Sequence, residues 1–183
     1  MNVLILYTSL EGQTKKIAAR MAETLSNQSY QVTMQPVDHL SSDFALVSYD
    51  AAILGGPIHM GKYPKSLKQF VKQHLHWLNN HPSAFFTVCM AINSQRPESR
   101  QDAVNYGKKF LQTTRWQPTY KATFAGAVKY TQYGIITRLI MKMIAKHEGG
   151  STDTSQDHEY TDWRAVEHFT REFAENLTEL QES

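Results

Sequence analysis

The chain has a single cysteine, Cys89, and the lack of a second excludes an intrachain disulfide. A reducing compartment is the default setting for such a sequence. No apolar run is long enough to span a bilayer, so the chain reads as soluble or as lying on a membrane surface. The first residues lack the basic start and the cleavage site of a secretory leader, and they read as a strand. The eight histidines are scattered. His74 and His76 stand two apart on a helical stretch and face different ways, so no metal site is expected. Neither sign of charge dominates: 19 Lys and Arg oppose 17 Asp and Glu, and the net charge of +2 makes no argument for nucleic acid. No Gly-Lys-Ser/Thr follows a Gly-rich loop, which excludes a nucleoside-triphosphate P-loop. No G-x-G-x-x-G occurs, so the dinucleotide fingerprint is missing. Internal repeats and low-complexity linkers are absent too.

What remains is a chain of 183 residues, 41% hydrophobic and 20% charged, which suits one domain over 1–183 with a real core. It is organised around its start. Val3, Leu4, Ile5 and Leu6 lead into Tyr7 as a short buried strand. A tight polar loop, 8–13, follows, and then Ile17, Ala18, Met21, Ala22 and Leu25 recur at helical spacing. The first N–H groups of a helix have no internal partner, and the helix dipole favours negative charge there. Ser9, Leu10, Glu11, Gly12, Gln13 and Thr14 therefore make a candidate phosphate site, with Ser9 and Thr14 adding hydroxyls and Gly12 allowing close approach. Glu11 is expected to turn outward and present only its N–H.

Strands then alternate with helices: 30–35, 49–54, 84–90 and 121–128 read as strands, and helices are expected after each, the last capped by Thr161 or Asp162. That alternation predicts an α/β fold with a five-stranded parallel doubly wound sheet. Gly55-Gly-Pro-Ile-His-Met-Gly-Lys-Tyr-Pro64 and Ala91-Ile-Asn-Ser-Gln-Arg-Pro97 leave the carboxyl ends of the third and fourth strands, where open α/β sheets place ligands. Gly56, Pro57, Ile58, His59 and Gly61 in the first loop and Asn93, Ser94 and Gln95 in the second are the candidate flanks of a ligand ring. His59 has a suitable pKa range and is the weak candidate for a proton acceptor. Tyr63 either stacks on the ligand or anchors its loop.

The segment 129–160 is too long for an ordinary connection and reads as an insertion after or within the fifth strand. Ile135, Ile136, Leu139, Ile140, Met143 and Ile144 cover a broad apolar helical face, bordered by Arg138, Lys142 and Lys146, with Lys129 just upstream. No acid appears between Lys129 and Glu148. Such a helix either packs on its own domain or sets its long cations among phospholipid headgroups. The loop 148–154 is a lid, a return to the ligand edge or a connector.

The order aromatic, x, Ser, x, x, Gly, x, Thr, then Ala resembles the flavodoxin signature, with Met21 in place of a branched aliphatic. Further marks run along the chain: Gly55-Gly-Pro57, Pro82-Ser-Ala-Phe-Phe86, Lys108-Lys-Phe-Leu111, Trp116-Gln-Pro118, Ala125-Gly-Ala127, the basic insertion, Gly149-Gly-Ser-Thr-Asp-Thr154 and Tyr160-Thr-Asp-Trp163. With them the chain resembles the flavodoxin-like family of bacterial quinone-dependent protoporphyrinogen IX dehydrogenases over nearly its full length. The resemblance implies FMN as cofactor and oxidation of protoporphyrinogen IX to protoporphyrin IX in haem biosynthesis. It also implies electron transfer to menaquinone or ubiquinone, and a peripheral place on the cytoplasmic face of the inner membrane. Lys129, Arg138, Lys142 and Lys146 are then candidates for contact with substrate propionates or the membrane. Two other readings stand beside this one: a flavodoxin-like NAD(P)H quinone reductase and a flavodoxin-type electron carrier.

Overall fold

A computed structural model describes residues 1–41, 43–132, 142–143, 145–146, 149 and 151–182. Five parallel strands form one sheet in the order β2-β1-β3-β4-β5: β1 is Asn2–Tyr7, β2 Gln31–Pro36, β3 Ala51–Pro57, β4 Ser83–Val88 and β5 Tyr120–Phe124. The three inner strands are continuous apolar runs because helices cover both faces of the sheet.

On one face lie α1, Gln13–Ser26, and α5, Trp163–Glu182, which bury Ile17, Met21 and Leu25 with Val166, Phe173 and Leu177 against Ile5, Ile53 and Phe86. On the other lie α2, Lys65–Gln73, α3, Leu75–Asn80, and α4, Pro97–Thr114. Their Leu67, Phe70, Val71, Leu78 and Phe110 pack on Leu4, Leu54 and Phe85. The long helix expected after the third strand is broken at His74, whose φ of −108° and ψ of 17° end α2 before α3 begins.

The fifth strand departs from its sequence reading. β5 stops at Phe124, and Ala127–Val128 forms a separate strand, β6, paired antiparallel with β7, His158–Glu159. The insertion leaves from β6 and returns through β7. Its root is fastened by Lys129 to Asp157 at 3.6 Å and by the Thr131 N–H and hydroxyl, which donate to Asp157 Oδ1 at 3.0 and 2.8 Å. These bonds, the Thr131 N–H foremost, hold the Asp157 carboxyl below its ordinary range. Ala145 of the insertion is buried with Val128 and Tyr130, and Met90 and Tyr160 pack on that cluster. Lys142, Met143 and Lys146 are exposed. Arg138 and most of the expected apolar face, Ile135, Ile136, Leu139, Ile140 and Ile144, lie outside the described residues.

Candidate functional site

Parallel pairing sets Tyr7 beside Gly55 and Pro57 beside Val88, so the loops after β1, β3 and β4 leave the same edge of the sheet. They surround a largely apolar cavity of about 290 Å³. Its lining takes Leu10, Glu11, Gln13 and Thr14 from the first loop and α1, and Pro57, Ile58, His59 and Met60 from the second. Val88 and Met90 follow β4, and Gly126 and Ala127 follow β5.

The first loop is built to present donors. Gly12 starts α1 at φ 86°, a left-handed conformation that favours glycine. Ser9 Oγ accepts from the Gly12 N–H at 3.1 Å and the Lys15 N–H at 3.4 Å. The Ser9 oxygen is thus occupied in shaping the loop. Thr14 is buried at the cavity wall. Two buried polar atoms have no partner among the described residues: Thr8 Oγ1 and Gln13 Oε1. A buried hydroxyl or amide without a partner is costly, and such atoms in a native site call for a ligand or water. The Gln13 Nε2 donates to Thr161 Oγ1 at 2.9 Å, and that hydroxyl donates to the Ala125 carbonyl at 2.8 Å. The Gln13 amide is therefore held from the far side of the cavity, and Thr161 spends its hydroxyl there. Asp162 caps α5 instead, accepting from the N–H groups of Arg164 and Ala165.

Gly56 does not line the cavity; it makes the loops meet. A Cβ there would fall 2.5 Å from Thr8 Oγ1 and 2.9 Å from Leu67 Cδ2. His59 and Lys62 exchange backbone hydrogen bonds at 2.9 and 3.0 Å, closing a turn through Met60 and Gly61. His59 is exposed at the cavity mouth. Tyr63 points away from it. Its hydroxyl pairs with Thr87 Oγ1 at 2.7 Å, its ring packs on Phe85 and Phe110, and burial pushes its phenol pKa up, so it anchors the loop.

The structure brings seven expected residues to the cavity: Leu10, Glu11, Gln13, Thr14, Pro57, Ile58 and His59. Glu11 is among the lining residues. Asn93, Ser94 and Gln95 stand outside the lining. Met90–Asn93 is a 3-10 turn, and Ser94 is spent on it, its Oγ accepting from the Arg96 N–H at 2.9 Å and its carbonyl from Arg100 at 2.7 Å. Gln95 instead receives the insertion: a Cβ on Gly149 would lie 2.7 Å from Gln95 Cδ. Gly149 therefore lies against the loop that follows β4. Lys129 is committed to Asp157 and is only 15% exposed. Met60 falls within the loop 56–61 expected to flank the ligand, whereas Val88, Met90, Gly126 and Ala127 are lining residues that sequence reading missed. Their positions at the carboxyl ends of β4 and β5 are the available signal.

Among the described residues no group of His, Cys, Asp and Glu is placed to hold a metal ion, and no helix is long and apolar enough to cross a membrane.

Residues 4–155 match the flavodoxin domain family. An archaeal flavodoxin shares the fold with a TM-score of 0.58 at 14% identity, over 97% of this chain and 99% of its own. Oxidised flavodoxin 2 from Bacillus cereus does so at 0.56 and 20% identity, over 96% and 99%. The protoporphyrinogen IX dehydrogenase [quinone] of Escherichia coli K12 is 37% identical over 175 residues, 95% of each chain. Its namesake from Leishmania major is 34% identical over 172 residues, 93% of this chain and 74% of the relative. With a flavodoxin-domain match across its sheet and relatives at this identity over nearly its whole length, the chain belongs to the flavodoxin-like family of protoporphyrinogen IX dehydrogenases [quinone].

Proposed function

We propose that this chain is an FMN-dependent dehydrogenase that oxidises protoporphyrinogen IX to protoporphyrin IX and passes the electrons to a membrane quinone, menaquinone or ubiquinone. The observation that carries the reading is the near-full-length likeness to relatives named for that reaction, which extends through the insertion. The cavity supports the cofactor. FMN offers phosphate oxygens and ribityl hydroxyls, and the first loop offers matching groups: the Thr8 and Thr14 hydroxyls, the first N–H groups of α1, and the Gln13 amide oxygen. The apolar remainder of the lining, Leu10, Pro57, Ile58, Met60, Val88 and Met90, suits a flat ring.

When bound, FMN supplies two-electron chemistry, accepting hydride equivalents and delivering electrons to quinone. The protein binds, orients and manages protons. Loss of six electrons from the substrate requires three two-electron rounds, each releasing protons at the cavity mouth. His59, at the cavity mouth, is the proton acceptor this reading assigns among the lining residues. Gln13 is fixed by Thr161 and gives the ribityl chain a rigid acceptor.

The protein sits peripherally on the cytoplasmic face of the inner membrane. Exposed Lys142 and Lys146 beside Met143, which is 69% exposed, support contact between the insertion and headgroups, with Arg138 in the same sequence stripe. Lys129 takes no part, being paired with Asp157 at the insertion's root.

The test is anaerobic. Protein reconstituted with FMN is given protoporphyrinogen IX and a menaquinone analogue in detergent, and porphyrin fluorescence is followed against free FMN. Quinone-dependent porphyrin formation above the control is expected. Tight FMN binding without porphyrin would refute the reaction and leave an electron carrier. Flavin reduction by NAD(P)H with quinone turnover but no porphyrin would indicate the reductase.

A further inference from the structure

Charge is unevenly spread through this chain. Between Ala51 and Lys121 ten Lys and Arg oppose two acids, Glu98 and Asp102, whereas the rest of the chain holds nine cations and fifteen acids. That basic stretch supplies α2, α3 and α4, which together cover one face of the sheet. Among the described residues, Lys62, Lys65, Lys68 and Lys72 take part in none of the ion pairs, which join other cations. Lys16 pairs with Glu159, Arg20 with Glu23 and Glu167, Arg171 with Glu167, and Lys129 with Asp157.

On α2 the pattern is sharper. Leu67, Phe70 and Val71 face the core, and Lys65, Lys68 and Lys72 are exposed. At about 100° per residue these three lysines fall within about 60° of one another, opposite the buried side. No acid occurs between Asp50 and Glu98 in the sequence, and the acids on the segment packed against α2 are Asp38 and Asp43, beside Val37 and Phe44. Lys62, also exposed, precedes α2 and pairs its backbone with His59, a residue of the cavity lining.

Beside Lys62 stands a second, independent feature. Met60 is 96% exposed and has φ 48°, followed by Gly61 at φ 72°. Two left-handed residues in a two-residue turn suit Asn-Gly, not a methionine. The turn therefore holds a large apolar side chain fully in solvent, in an unfavourable backbone conformation, at the lip of the cavity. Leu10, 65% exposed, stands on the same lip.

We propose that the outer face of α2, Lys62, Lys65, Lys68 and Lys72, is the main docking surface for an anionic phospholipid bilayer, with Met60 entering its interface. A stripe of long cations ending in exposed apolar residues matches a surface that is anionic outside and apolar beneath. An acidic protein would satisfy the lysines but not Met60. The orientation puts the cavity mouth at the bilayer, where a lipophilic acceptor resides. In that respect alone the inference rests on the proposed quinone reaction; the lipid contact does not require it. It also assigns the principal contact to α2 rather than to the insertion.

The test is sedimentation of the FMN-loaded full chain with vesicles of phosphatidylcholine alone or with 30% phosphatidylglycerol, at low and high salt. Binding is expected only with phosphatidylglycerol and is expected to fall with salt. Each lysine near such a surface is worth about fivefold in affinity, so K65Q/K68Q/K72Q should bind about a hundredfold more weakly. Its FMN affinity and its porphyrin formation in detergent should match wild type, which separates this proposal from the reaction above. K142Q/K146Q should lose less. As a second readout, Met60→Cys carrying a polarity-sensitive fluorophore should shift its emission to the blue on phosphatidylglycerol vesicles; Cys89 is buried and should label poorly. The proposal is overturned if wild type ignores anionic vesicles, if the α2 variant binds as wild type does, or if the insertion variant loses more. An unshifted label at position 60 would remove Met60 from the interface.

Discussion

Thr8→Val tests the site with two effects of opposite sign. The Thr8 hydroxyl oxygen is buried, touches no partner among the described residues, and lies where a Cβ on Gly56 would come within 2.5 Å. In the FMN-stripped protein this group is desolvated without compensation, a penalty of about 1–3 kcal/mol. Valine keeps the shape and removes the penalty. A chain of this size gains about 2–4 °C in Tm per kcal/mol, so the stripped variant should melt several degrees above stripped wild type. The same hydroxyl is proposed to bond the FMN phosphate. Its loss should weaken FMN binding by about 1–2 kcal/mol, or about 5- to 30-fold in Kd. Differential scanning fluorimetry of the stripped proteins reads the first effect, and quenching of flavin fluorescence on titration reads the second. A variant that melts lower while binding FMN as wild type does would show that Thr8 is a packing residue, and the phosphate assignment of the loop would fall.

Three further substitutions probe the same framework. Thr14→Ala should raise the FMN Kd about 5- to 30-fold by flavin titration, since a buried hydroxyl on the cavity wall is removed. Gly56→Ala should lower Tm through overpacking of about 1–3 kcal/mol, because its Cβ meets Thr8 Oγ1 and Leu67 Cδ2 at 2.5 and 2.9 Å, and it should weaken FMN binding by displacing Thr8. His74 is held below its ordinary value of 6.5 by burial, so below that value the unfolded chain binds more protons than the folded one. Its contribution to stability is present above 6.5 and is lost as pH falls below that value through the lower folded pKa. His74→Gln should therefore show a smaller drop in Tm between neutral and mildly acidic pH than wild type, and equal drops would refute the linkage.

Much of the frame is legible because inner strands of a covered parallel sheet are apolar on both faces. Val3–Tyr7 and Ala84–Val88 are continuous buried runs and were found within a residue or two. The sequence places the end of β3 at Leu54 because Gly55, Gly56 and Pro57 look like a turn, yet they stay paired with Phe86, Thr87 and Val88. The break at His74 escaped notice because side-chain periodicity survives a local change of φ and ψ. The division of the fifth strand depends on partners far along the chain: Tyr160 N–H donates to the Gly126 carbonyl and the Thr161 hydroxyl to that of Ala125. Residues such as Val88 and Met90 carry no mark to distinguish a cavity wall from a core. The loop's donors were visible by type, but which of them lacked a partner was not.

Charge shows the same limit from two sides. Around Lys129 the sequence offers no acid for many residues on the C-terminal side, so the lysine looks available to an external anion. The pairing of β6 with β7 brings Asp157 to it, and a half-buried ion pair at the root of the insertion replaces the expected surface cation. On α2 the reverse holds. Lys65, Lys68 and Lys72 look like the ordinary solvated face of an amphipathic helix. Only the placement of α2, α3 and α4 on one side of the sheet makes those lysines part of a predominantly basic surface. A charge that folding pairs internally is withdrawn from any partner, and a charge that folding leaves among its own sign gains its strongest use outside the chain. The same reasoning that removes Lys129 from the membrane contact therefore assigns that contact to α2.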